Sequence, residues 1–115
     1  MRESFLHFLW RSRRFDAQNL RTTEHQPIEI QIVGEHNTHA GPDFFNARLR
    51  IGETNWAGNV EMHLRSSEWH AHGHSTDPAY DNVVLHVVFE EDQPILRNNG
   101  ARIPCLELKG RIPPK

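Results

Sequence analysis

The chain has one cysteine, so no intramolecular disulfide can form. Cys105 lies in Ile103-Pro104-Cys105-Leu106-Glu107-Leu108 and is expected as a buried strand thiol with a structural role. Long apolar runs are also missing. Val83 to Val88 is interrupted by His86, so no segment reads as a membrane span. The first residues, Met1-Arg2-Glu3-Ser4-Phe5-Leu6-His7, contain an acid and a histidine where a secretory leader carries an unbroken apolar stretch, and no small-residue cleavage site follows. A cytoplasmic location is the expectation. Neither sign of charge dominates: 13 Lys+Arg against 15 Asp+Glu leave a formal charge of −2 and a pI near 6.5. General nucleic-acid affinity is therefore unsupported, and a nucleic-acid strand would need a local groove. There is no internal repeat, no low-complexity tract and no change of composition along the chain. At 24% charged and 37% hydrophobic, the 115 residues read as one domain over 1–115, able to bury roughly two-thirds of their unfolded surface.

What is abundant is histidine. Nine of them would gain charge between about pH 7 and 5.5 and turn a slightly acidic chain basic, a concentration that points to a site. The hydrophobic pattern predicts a first helix over Ser4 to Arg14, on Phe5, Leu6, Phe8, Leu9 and Trp10. Pro27 introduces the alternation Ile28-Glu29-Ile30-Gln31-Ile32, a half-buried strand. Gly34 to Pro42 reads as a turn, Asp43 to Ile51 as a second strand, Gly52-Glu53-Thr54-Asn55 as a hairpin turn and Trp56 to Leu64 as the return strand. In that strand Val60, Met62 and Leu64 share one face, while Asn59, Glu61 and His63 share the other. A short second helix follows from Ser66 or Ser67 to near Gly73. Val83 to Phe89 reads as a buried strand, and Ile103 to Leu108 as a last strand after Asn98-Asn99-Gly100. The fold class is mixed α and β: helix, three strands, helix, strand and an extra C-terminal strand.

Two resemblances attach to these residues. Ala40-Gly41-Pro42-Asp43-Phe44-Phe45-Asn46-Ala47, Trp56-Ala57-Gly58-Asn59-Val60-Glu61-Met62-His63, His72-Gly73-His74 and Tyr80 to Val88 resemble the N-terminal part of an uncharacterised bacterial family. That resemblance implies no activity; it does imply a fragment of a longer protein, whose C-terminal part would be absent here. More distantly, Pro42-Asp43, a hairpin and Glu61-Met62-His63 resemble the signature of the PD-(D/E)XK nuclease superfamily. The resemblance implies a restriction-endonuclease-like αβββαβ core and a phosphodiesterase site. It implies a divalent metal, usually magnesium with manganese as a substitute, on Asp43, Glu61 and the backbone carbonyl of Met62, with nucleic acid as the substrate class. By the same analogy Glu3 on the first helix is a further acidic ligand. His63 stands where that superfamily has Lys.

The chemistry is consistent with those residue types. Phosphodiester hydrolysis needs a hard cation held by carboxylates, open positions for water and a phosphate oxygen, and a group that orients or deprotonates the water. A neutral His63 imidazole can act as that base near pH 7. Gly58 and Asn59 would let a substrate backbone approach, although a β-bulge accounts for Gly58 equally well. A second candidate centre is His70-Ala71-His72-Gly73-His74. On a continuing helix His70 and His74 are four apart and could hold zinc, as in a zinc-dependent hydrolase. Gly73 replaces the aspartate that precedes the last histidine in metallo-β-lactamase-type motifs. His86, between Val84 and Val88, reads as a hydrogen-bonded core residue that could line the same pocket. The alternative to an enzyme is a noncatalytic metal-binding or interaction module of a larger protein. Trp10, Trp56 and Trp69 are expected in packing, and Arg11, Arg13, Arg14 and Arg21 as a solvated basic patch.

Overall fold

A computed structural model describes residues 1–114. Helix α1 spans Glu3–Ser12 and buries Leu6, Leu9 and Trp10, whose indole N–H donates to the Val33 carbonyl at 3.0 Å. It ends two residues before the sequence pattern does. Arg13 takes a left-handed φ of +56°, and its guanidinium donates to the carbonyls of Ile30 and Gln31, tying the helix end to the first strand.

Six strands form one mixed sheet: β1 (Ile28–Ile32), β2 (Glu35–His36), β3 (Phe44–Ile51), β4 (Thr54–Arg65), β5 (Val83–Glu90) and β6 (Cys105–Glu107). The order is β1-β3-β4-β5-β6, with β2 pairing to β3 outside that path. The β1–β3 and β3–β4 pairs are antiparallel, whereas β4–β5 and β5–β6 are parallel. The expected order of helix, three strands, helix, strand and an extra C-terminal strand is thus present, with one addition. Strand β2 lies inside the stretch read as a turn; two polar residues give no alternation to read, and the strand exists through pairing with Phe44 and Phe45. Strand β6 is shorter than the Ile103–Leu108 expectation. Pro104 has no N–H to give, and its carbonyl instead accepts from His86 N–H.

The second helix is also shorter. Helix α2 covers only Glu68–Ala71; Gly73 at φ +72° breaks the path, and two single turns of 3-10 helix follow at His74–Thr76 and Pro78–Tyr80. The expectation of one helix carrying both His70 and His74 is therefore corrected.

One face of the sheet packs Phe44, Leu49, Val60, Met62, Leu85, Val87 and Leu106 against α1. A smaller cluster of Trp69, Tyr80, Val83, Ile95 and Ile103 lies under α2 and the 3-10 turns. Trp10 and Trp69 are core residues as expected, whereas Trp56 is exposed. Cys105 is buried, and burial pushes its thiol up, which makes it inert at neutral pH.

Two irregularities set the register around the centre. Phe44 pairs with Val60 and Ala47 with Gly58, so β3 carries one extra residue, accommodated by Asn46 at φ +58°. On the other side Asn59 pairs with Val83 and Val60 with Leu85, so β5 bulges at Val84. Gly58 is needed there: a Cβ would lie 2.4 Å from Val84 Cγ1 and 2.8 Å from the Asn82 carbonyl. The close approach at Gly58 is to β5, not to a substrate.

Candidate metal centre

The β3 bulge brings Asp43, at the foot of β3, opposite Glu61 on β4. The Asp43 N–H donates to Glu61 Oε1 at 3.2 Å, and the Met62 N–H donates to Asp43 Oδ2 at 2.8 Å. The two carboxylates of the PD-(D/E)XK-like pattern therefore meet, and Met62 contributes its amide to Asp43 while its side chain is buried in the core.

Around this pair the chain assembles two trios of donor atoms, each trio lying within 4.8 Å of one another: Glu3, His7 and Asp43, and His63, His72 and His74. In the first, His7 Nε2 is 3.5 Å from Asp43 Oδ1 and 3.7 Å from Glu3 Oε1. Its other nitrogen, Nδ1, meets His36 Nε2 at 3.4 Å, and the His36 ring stacks on Phe44 with centroids 4.9 Å apart. In the second, His63 Nδ1 contacts His86 Nε2 at 2.7 Å. The Glu61 Oε2 atom reaches into this trio, 2.6 Å from His74 Nε2 and 3.3 Å from His63 Nε2. His74 Nε2 and His7 Nε2 are both buried without a hydrogen-bond partner, despite the short approach of a carboxylate oxygen. Each of these two histidines places a donor atom within 4.8 Å of the other donor atoms of its trio. A buried polar atom left unpaired costs about 1–3 kcal/mol.

The electrostatics follow from crowding. Burial first, and then the neighbouring Asp43, push the Glu61 carboxyl up to about 10. Burial would raise Asp43 too, but His7, the Glu61 carboxyl and the Met62 N–H more than offset it and hold Asp43 below its ordinary value. Asp43 in turn raises His7. Burial, reinforced by the neighbouring imidazoles, holds His63 down to about 2 and His86 to about 3, so both are neutral across the physiological range. Neutral imidazoles beside carboxylates are the donor set that divalent transition metals take.

Among the residues singled out in the sequence, Asp43, Glu61, His63, His72, His74, His86 and Glu3 are brought together. His70 is not: it is exposed at the far side of the short helix. Two participants had not been singled out, His7 and His36. Glu3 and His7 are four apart, which places them on one helix face, and that spacing was a usable signal. Nothing local marks His36.

Beside His74 a cavity of about 220 Å³ is lined by Trp69, Ser75, Tyr80, Arg97 and Ile103. The Tyr80 ring stacks on His74 with centroids 3.7 Å apart. Among the described residues no helix is long and apolar enough to cross a membrane.

A family model described as "Protein of unknown function (DUF2851)" matches residues 3–115. The chain belongs to this family. No curated protein and no solved structure matches it. Membership agrees with the resemblance to an uncharacterised family, and the DUF2851 match spans every residue of both trios.

Proposed function

We propose that this DUF2851 chain is a divalent-metal-dependent phosphodiesterase, acting on nucleic acid or a smaller phosphodiester. The observation that carries this reading is the direct pairing of Asp43 and Glu61 across β3 and β4, with imidazole nitrogens on both sides. A bound cation would polarise a phosphoryl oxygen and lower the pKa of a water, the two things this hydrolysis needs. Asp43, Glu61 and the trio histidines would hold it. The imidazole-rich donor set favours zinc, manganese or iron over the magnesium that the superfamily resemblance implies.

The rest of the chain positions these donors. His36 and His86 each engage the far nitrogen of a trio histidine, fixing ring orientation as outer partners of metal ligands do. At 1% exposure His63 is almost wholly enclosed, which suits a ligand better than the general base expected from its place in the Glu-X-Lys pattern. His72 is exposed and gives the open side through which a substrate enters. The cavity beside His74 offers the Tyr80 and Trp69 rings and the Arg97 guanidinium to the remainder of a phosphodiester.

The test is cleavage of bis(p-nitrophenyl) phosphate and of single- and double-stranded DNA and RNA by the metal-stripped chain resupplied with magnesium, manganese, zinc or iron(II). Metal-dependent cleavage that Asp43→Ala removes, with an unchanged circular dichroism spectrum, is the expected result. Tight metal binding with no cleavage of any of these substrates would shift the reading to a noncatalytic metal-binding module.

A further inference from the structure

We propose that the cluster is a binuclear centre: one divalent cation on Glu3, His7 and Asp43, a second on His63, His72 and His74, and the Glu61 carboxylate bridging them. This rests on the metal-dependent reading above and adds a site that the superfamily resemblance does not assign, built on histidines from β4 and from the segment after α2.

Three independent features point to two ions. Each trio contains a buried imidazole nitrogen with no hydrogen-bond partner, His7 Nε2 in one and His74 Nε2 in the other; His74 is only 8% exposed. Each trio also has one histidine braced from outside by another, His7 by His36 and His63 by His86, with Nδ1 engaged and Nε2 left for the donor set. Finally, the two oxygens of Glu61 face opposite ways. Oε1 is turned to the Asp43 side, where it accepts the Asp43 N–H at 3.2 Å, and Oε2 lies 2.6 Å from His74 Nε2 and 3.3 Å from His63 Nε2. One oxygen of Glu61 thus rests on the Asp43 backbone and the other among the imidazoles, the placement from which a carboxylate can bridge two ions.

Charge agrees with this count. Glu3, Asp43 and Glu61 supply three negative charges when ionised, and the four histidines His7, His63, His72 and His74 are neutral when they coordinate. Two divalent cations leave the centre at +1 and a single ion leaves it at −1, so charge accommodates two ions as readily as one, and the second set of donors decides the count. Mixed nitrogen and oxygen donors select zinc, manganese or iron(II) rather than magnesium.

The experiment uses the full chain, stripped of metal and loaded with manganese or zinc. After desalting, the metal is counted by mass spectrometry, and the manganese form is examined by electron paramagnetic resonance. Two equivalents per chain are expected, with the hyperfine pattern of an exchange-coupled manganese pair. Because His72 is exposed, His72→Ala should fold normally and retain one equivalent; His7→Ala should retain one at the other position, and Glu61→Gln should abolish the coupling. One equivalent in the wild type, two uncoupled manganese ions, or two equivalents retained by His72→Ala would each overturn the proposal. A coupled pair with no phosphodiester cleavage leaves the binuclear centre standing and removes the hydrolase. Cleavage with one equivalent does the reverse.

Discussion

Strand β4 has two faces of opposite character. Val60 and Met62 point into an apolar core beneath α1. Glu61 and His63, their immediate neighbours in sequence, are as deeply buried, but among carboxylates and imidazoles. The first face lowers the free energy of folding by removing apolar surface from water. The second raises it, because polar groups leave water for contacts that do not satisfy their nitrogen lone pairs. Strand β4 therefore separates apolar packing from a polar cluster at single-residue resolution.

The largest effect that would sharpen this contrast is truncation on the apolar face. Met62→Ala should lose about 2–5 kcal/mol in urea denaturation while the folded fraction keeps its metal content. Glu61→Leu should instead leave the metal-free chain equally stable or more stable and weaken metal binding, since a buried polar carboxyl, held neutral by its surroundings, loses its desolvation cost. Equal destabilisation by the two substitutions would remove the distinction between the faces.

A smaller effect is expected at His36. His36→Phe preserves the ring over Phe44 but removes the brace on His7. Metal affinity of the Glu3, His7 and Asp43 trio should fall roughly 10- to 100-fold, with the His63, His72 and His74 trio unaffected. Titration calorimetry resolves the two, and an equal loss at both trios would show that His36 acts on the fold rather than on His7.

The polar face should also dictate how stability of the metal-free chain depends on pH. Because His63 and His86 are held down to about 2 and 3, their contribution is complete above the ordinary histidine value of 6.5 and is lost as pH falls toward those values. Glu61, pushed up to about 10, acts with the opposite sign: its contribution is complete below the ordinary carboxyl value of 4.5 and is lost as pH rises through about 10. Between these carboxyl and histidine reference values two histidines outweigh one carboxyl, so stability rises with pH; above the histidine value the Glu61 term makes it fall. Thermal melts from pH 4 to 10 should therefore peak near pH 6.5, and Glu61→Leu should flatten the alkaline limb. A wild-type profile flat above neutrality would contradict the assignment.

The smallest effect lies where the chain turns toward the histidine loop. Asp92 accepts from the Ser66 and Ser67 hydroxyls and the Ser67 N–H, and these bonds, Ser67 foremost, hold its carboxyl down to about 2. Its contribution is complete above the ordinary aspartate value and is lost as pH falls toward 2. The group is exposed and screened, so Asp92→Asn at pH 7 should lower Tm by no more than roughly 4 °C, about what 1 kcal/mol is worth in a domain of this size. A larger loss would mean that Asp92 anchors more than the start of α2.

Much of the fold was legible because periodicity is local. The Ile28–Ile32 alternation, the hairpin through Gly52 and the Val83–Phe89 run each signal a strand without reference to the rest of the chain, and each is one. Where reading failed, the deciding interaction was distant. Helix α1 stops early because Arg13 reaches β1, and β2 exists only because β3 offers it backbone partners. The His70–His74 spacing misled because Gly73, free to take φ +72°, turns His74 inward toward Glu61 and leaves His70 outside.

The same division holds for the site. The sequence by itself determined that Glu61 and His63 share a strand face and that Asp43 begins the neighbouring strand, because a period of two admits no other arrangement. Tertiary structure alone decided that Glu61 stands between two donor trios. That needs a one-residue bulge at Asn46 to set Asp43 against Glu61, a helix that brings His7 from the far end of the chain, and a glycine turn that brings His74 to within 2.6 Å. Convergence of residues tens of positions apart is a property of packing, and no local pattern encodes it.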